Sequence, residues 1–209
     1  MRWTVLIPVK ALPSAKSRLV DVSADQAAHR RLVEAIRRDT IAAAGAAEGV
    51  ARLVAVSDEP GVVNLPTIVQ IRPGLNEALA DAAWMAAKQW QMDGIAALVG
   101  DLPALRAEDL SAALRQARGP RSFVPDASGL GTTLLVAWPG VELEPNFGPG
   151  SAARHAAIAD ALEVGAGLRL DVDSAADLDA AAALGLGPAT REALAASEVQ
   201  RANVNLGWA

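Results

Sequence analysis

Three cations crowd residues 8–19 (P-V-K-A-L-P-S-A-K-S-R-L): Lys10, Lys16 and Arg18. Arginine offers a planar fork and lysine a point charge, so such a loop can wrap a phosphate chain. A solvated basic loop is the plain alternative. Neither the G-x-x-x-x-G-K-[ST] spacing nor a G-x-G-x-x-G turn occurs, which sets aside the P-loop and dinucleotide-turn modes of holding phosphate. The carboxylates to match are Asp101, in Gly100-Asp101-Leu102-Pro103, and the pair Asp171-Val172-Asp173. Hard cations such as Mg2+ take oxygen ligands. Two aspartates at i and i+2 on an extended segment face the same side, and they repel unless a cation or basic group lies between them. Both features have simpler readings. Asp101 can cap the next helix, and Asp173-Ser174 can open another. Taken together, three aspartates near a cationic loop point to metal-assisted chemistry on a Mg2+–triphosphate.

Two glycine-bearing loops complete the set: Gly129-Leu130-Gly131-Thr132-Thr133 and Phe147-Gly148-Pro149-Gly150-Ser151. Their glycines allow close backbone approach, and Thr132 and Ser151 offer hydroxyls for a second phosphate or a carboxylate. Ordinary turns and caps have the same composition. The two histidines form no metal cluster. His29 is expected on the surface and His155 in a satisfied structural role. Without a G-x-S-x-G elbow, Ser/His/Asp hydrolysis is disfavoured.

The elements needed to position these loops follow from hydrophobic periodicity. Residues 2–9 read as a first strand rather than a leader, and Ser23 to Gln26 as a capping box opening a helix to about residue 47. Strands are expected over 51–56, 67–71, 95–99, 122–124, 133–137 and 167–172. Helices are expected over 76–90, 106–117, 151–164, from Ser174 (with Asp177 at N3), and on to about 196. Trp84 and Trp90 read as packing residues, and Arg30, Arg31, Arg37 and Arg38 as a solvated helix face. Strands alternating with helices imply one α/β domain over residues 1–209: three αβα layers around a mostly parallel, mixed sheet. Ligands of such sheets sit beyond the strands' carboxyl ends, where most of the loops above fall.

Composition narrows the function class. The chain has 209 residues, 52% hydrophobic, with no cysteine and a net charge of −5. No apolar run reaches the roughly 18 residues of a membrane span. Disulfides and thiolate chemistry are excluded, and a reducing cytoplasm fits. The acidic balance disfavours nucleic acid and anionic membranes as partners. Residues 1–40 nevertheless carry eight bases against four acids, a local cationic end suited to a small polyanion.

V-K-x-x-x-x-A-K-S-R-L, G-D-L-P-A-L, G-x-G-T-T, F-G-P-G-S and D-V-D-S-A-A-D-L occur in that order over about residues 5–184. In this the chain resembles the phosphoenolpyruvate / 2-phospho-L-lactate guanylyltransferases of coenzyme F-420 biosynthesis. The resemblance implies a nucleotidyltransferase-like (Rossmann-like) fold and two Mg2+ ions on Asp101, Asp171 and Asp173. Lys10, Thr132, Gly148 and Ser151 match positions that hold the phosphorylated three-carbon acid. Lys16 and Arg18 fall where relatives bind the nucleotide triphosphate, with Gly74 and Asn76 as further nucleotide candidates. The expected reaction moves GMP from GTP to phosphoenolpyruvate and releases pyrophosphate. 2-Phospho-L-lactate and 3-phosphoglycerate are alternative acceptors, and a non-catalytic nucleotide-binding module is the alternative of another class. A homodimer and hand-off of the product to the next enzyme are both compatible with the sequence. Related transferases acting on molybdenum cofactor or sugars carry a G-G-x-x-x-R-M-type loop after the first strand. Pro8-Val9-Lys10 stands there instead, favouring the narrower family.

Overall fold

The computed structural model describes residues 1–9 and 25–205, the last five of these by backbone alone. Lys10, Lys16, Arg18 and the expected Ser23 cap lie outside the described residues. A seven-stranded sheet of order β3-β2-β1-β4-β6-β5-β7 forms the centre. Its strands are β1 (Trp3–Pro8), β2 (Val50–Ser57), β3 (Thr67–Val69), β4 (Gly94–Leu98), β5 (Arg121–Pro125), β6 (Thr132–Ala137) and β7 (Asp160–Ala161). β1 pairs in parallel with β2 and β4, β2 with β3, and β5 with β7. Among the described strands only β6 runs against its neighbours, β4 and β5. The start of β6 therefore lies beside the ends of β4 and β5.

Alternation along the strands makes three layers. Val5, Ile7, Ala96, Leu98, Leu134 and Val136 face α1 (Gln26–Ala46) and α3 (Ala107–Gln116). Leu6, Ile95, Ala97 and Leu135 face α2 (Leu75–Gln89) and join Ala152 of α4 (Ser151–Ala156). Every residue of β4 is buried, as a strand covered on both faces requires. α5 (Ala175–Leu184) and α6 (Pro188–Asn205) close a third apolar cluster on Leu32 and Ile36 of α1.

Several boundaries depart from expectation. The first helix is capped by Asp25, which accepts from Ala28 N–H at 2.7 Å. α4 stops at Ala156, and residues 160–161 leave it to form the edge strand β7 on β5. Residues 167–172 are not a strand. A 3-10 turn, Ala166–Leu168, is followed by irregular backbone. α6 runs nine residues beyond its expected end. The Ser174–Asp177 capping box is present as expected. Burial also corrects three side chains. His29 and Arg37 are buried on α1, whereas Trp84 is 65% exposed.

Candidate active site

β4 delivers Asp101. Val99 continues the ladder by donating to Thr133 O at 2.9 Å. Gly100 then crosses close to Pro8, with space for a Cβ only 3.4 Å from its carbonyl oxygen. Behind the aspartate, Leu102 N–H donates to Thr40 Oγ1 (2.9 Å), which itself donates to Ile36 O (3.0 Å). The loop is thereby tied to α1. Asp101 does not cap the next helix, because the cap position of α3 is Arg106. Arg37 lies on the same α1 face. Burial lowers its guanidinium from the ordinary value, while the charges of Glu34 and Asp101 act against that shift.

Asp171 and Asp173 reach this edge by a different route from the expected strand end. Val172 is fully buried and donates its N–H to Asp101 O at 3.0 Å, so the two acidic segments are hydrogen-bonded to each other. Upstream, Thr133 Oγ1 donates to Leu168 O (2.6 Å), and Ala127 N–H donates to Arg169 O (2.7 Å). The Arg169 guanidinium donates to Pro125 O (3.1 Å) and Asp126 O (2.8 Å), clamping the β5–β6 turn onto the segment. A Cβ on Gly167 would run into the Ala104 carbonyl, so only glycine lets the 3-10 turn sit so close.

The electrostatics of this corner are unbalanced. Burial, and then the charge of Asp101, push the Asp171 carboxyl up to about 7, with Asp173 and Asp126 adding to the effect. A proton or a metal ion relieves such crowding. Among the described residues no three acidic or histidine side chains stand close enough to form a ready-made metal cage.

Thr132, Gly148 and Ser151, expected to hold the acceptor, lie about the start of β6. Thr132 Oγ1 is 2.8 Å from His155 Nδ1 and 3.1 Å from Ser151 Oγ. Gly148 and Gly150 have φ of 114° and 72°, the left-handed region in which glycine is unstrained. Arg154 donates to Pro149 O (2.8 Å) and Asn146 O (2.9 Å), holding the loop between them. Asn76 also serves this loop, donating to Phe147 O (3.1 Å) and accepting from Phe147 N–H (2.7 Å). Its side chain thus braces the Phe147 loop from α2. α4 is only six residues long, and its Ala152 N–H is spent on Leu130 O, which weakens the expected helix-terminus anion site.

On the other side of β1 a cleft of about 320 Å3 opens between the ends of β1 and β2 and the start of α2. Pro8, Val9, Val56 and Leu75 give it apolar walls, and Asp58, Gln70 and Gly74 add polar groups. Gly74, a candidate nucleotide contact, thus lines this cleft. Val9 is buried and donates to Val56 O at 2.8 Å. Sequence motifs singled out none of the side chains of Asp58, Asp126, Arg169, Asn146 and Arg154. Each acts across the fold or inside a turn.

The family model described as guanylyl transferase CofC like matches residues 3–196. A phosphoenolpyruvate guanylyltransferase of Salinispora arenicola is 47% identical over 200 residues, covering 90% of this chain and 91% of that protein. One from Streptomyces avermitilis is 45% identical over 207 residues, covering 93% and 95%. Among solved structures, a putative nucleotide-diphospho-sugar transferase from Desulfovibrio desulfuricans aligns with a TM-score of 0.63 at 16% identity, covering 86% of each chain. 4-Diphosphocytidyl-2C-methyl-D-erythritol synthase aligns at 0.55 and 15% identity, covering 88% of this chain and 97% of that one. These structural matches establish a shared nucleotidyltransferase-like fold.

Proposed function

The chain belongs to the CofC-like guanylyl transferase family, and from that premise we propose that it transfers GMP from GTP to phosphoenolpyruvate. Pyrophosphate is released and enolpyruvyl-diphospho-guanosine forms, an activated acid for coenzyme F-420 assembly in the cytoplasm. The observation that carries the reading beyond the family is the hydrogen-bonded junction of the Asp101 and Asp171 segments, with its excess of negative charge. This corner separates the cleft at β1–β2 from the Thr132–Ser151 loop pair.

Thr132, Gly148 and Ser151, with Lys10, hold the acceptor's anionic groups. Lys16 and Arg18 take the triphosphate. The base enters the cleft beside Gly74, where the Asp58 carboxylate can accept from guanine N1–H and N2–H. Adenine would present an acceptor at N1 to the same carboxylate, so Asp58 favours guanine. Held in this way, an acceptor phosphate oxygen bonds to the α-phosphorus of GTP as the bond to the β-phosphate oxygen breaks. The electron pair leaves on pyrophosphate. The attacking oxygen is already anionic, so no general base is required, and the chain contributes positioning and charge neutralisation. Asp101, Asp171 and Asp173 would hold Mg2+, two ions, which when bound supply charge neutralisation at the α-phosphate and the leaving group.

Phosphorus NMR of the chain with GTP, Mg2+ and each of phosphoenolpyruvate, 2-phospho-L-lactate and 3-phosphoglycerate tests the reading. A new diphosphate doublet pair together with pyrophosphate is expected with phosphoenolpyruvate. Unchanged GTP in all three samples would refute the assignment.

A further inference from the structure

His155 is fully buried at the base of the acceptor loop, and both ring nitrogens are engaged. Asn146 presents a backbone N–H to Nε2 at 3.0 Å. A backbone amide can only donate, so Nε2 carries a lone pair. Burial, and secondarily the charge of Arg154, pull the imidazole down to about 4, so the ring is neutral at physiological pH. Its single N–H is then on Nδ1 and donates to Thr132 Oγ1 at 2.8 Å. Phe147 packs edge-on against the ring with centroids 5.2 Å apart, and Phe123 lies at 6.0 Å. With both nitrogens bonded and two rings against it, the imidazole has no second orientation that keeps these contacts.

The consequence falls on two hydroxyls. Thr132 Oγ1 and Ser151 Oγ are 3.1 Å apart and share one hydrogen bond, which uses one of their two hydrogens. Thr132 already accepts from His155, so the second hydrogen has no role inside the triad. Thr132 keeps 7% of its surface open. We infer that His155 is a positioning residue, which turns the Thr132–Ser151 pair into a fixed donor of one O–H toward an anionic oxygen of the acceptor. The imidazole itself never touches substrate. This assignment rests on the proposed acceptor site and adds to it the group that orders that site.

The test combines a tautomer measurement with a double-mutant cycle. Long-range 1H–15N correlation at pH 7.5 on the full chain should show His155 protonated at Nδ1 alone. An Nε2–H tautomer or an imidazolium would overturn the inference without any substrate present. Calorimetric titration with phosphoenolpyruvate follows, on wild type, His155→Ala, Thr132→Val, the double variant and His155→Asn. A hydrogen bond to a charged group predicts about tenfold or more weaker binding for His155→Ala. The same change on the Thr132→Val background should cost less than about twofold. His155→Asn, whose side-chain amide can replace the Nδ1–H donor, should recover most of the loss. Mg-GTP affinity should move by less than about twofold in all variants, which a general loosening of the fold would not allow. Multiplying effects in the cycle would reduce His155 to packing and end the proposal. Binding to wild type that His155→Ala leaves intact removes only the role of His155, whereas no binding to wild type removes the acceptor site and the inference with it.

Discussion

Replacing Asp171 with asparagine should stabilise the free protein and disable it. The side chain is half-buried, and burial with the charges of Asp101, Asp173 and Asp126 raises its carboxyl from 3.8 to about 7. Between those two values the folded chain holds a proton that the unfolded chain has released. Stability from this group is therefore greatest below pH 3.8, falls as pH rises, and is gone above about 7. Each pH unit of separation corresponds to about 1.4 kcal/mol. Three units would give an upper bound near ~4 kcal/mol, and screening on the solvent-facing side brings this to about 2 kcal/mol. A carboxamide is neutral at every pH, so Asp171→Asn should raise stability by about 2 kcal/mol at pH 8, or about 4–8 °C in Tm for a chain of this size. At pH 4 the two proteins should melt together. Millimolar Mg2+ should raise the wild-type Tm at pH 8 and barely affect the variant, because metal stabilises only the state that binds it. Thermal scans with and without EDTA at pH 4, 6 and 8 supply the data. A variant that is less stable at pH 8, or equally shifted at all three values, would refute the electrostatic reasoning.

Other changes read other parts of the account. Asp58→Asn should reduce kcat/KM for GTP by about 10–100-fold and favour xanthosine triphosphate, whose 2-oxo oxygen accepts where the 2-amino group of guanine donates. An unchanged GTP/XTP ratio would take Asp58 out of base recognition. Gly167→Ala forces a Cβ into the Ala104 carbonyl, and denaturant titration should show a loss of about 1–3 kcal/mol. Arg169→Ala releases the β5–β6 turn from the Asp171 segment; turnover should fall about tenfold or more while GTP affinity, followed by calorimetry, stays close to wild type.

The sheet and the position of Asp101 at the end of its central strand were readable because local and global signals agree there. The apolar run before Gly100-Asp101 is β4, buried throughout, and Ser174 with Asp177 makes the box its spacing announces. The alternation of residues 167–172 misled because the neighbouring sheet edge is taken by Asp160–Ala161. The segment's backbone groups instead go to Asp101 and Ala127, and Gly167 is fixed by its approach to Ala104. Nothing in the alanine-rich stretch after Ser151 marks the halt at Ala156, because the stop is imposed by pairing with β5. His29 and Arg37 are buried, so the polar face assigned to α1 was drawn too wide. Asn76 and Phe147 are 71 positions apart, and His155 and Thr132 are 23. Such partnerships exist only once the loops converge.

The decisive measurement is acceptor-dependent release of pyrophosphate from GTP in the presence of Mg2+. Steady release is expected with phosphoenolpyruvate, little without an acceptor, and a loss on the order of a hundredfold or more in Asp101→Asn. Release that ignores the acceptor, or that survives the loss of the Asp101 carboxylate, would contradict the proposed transfer.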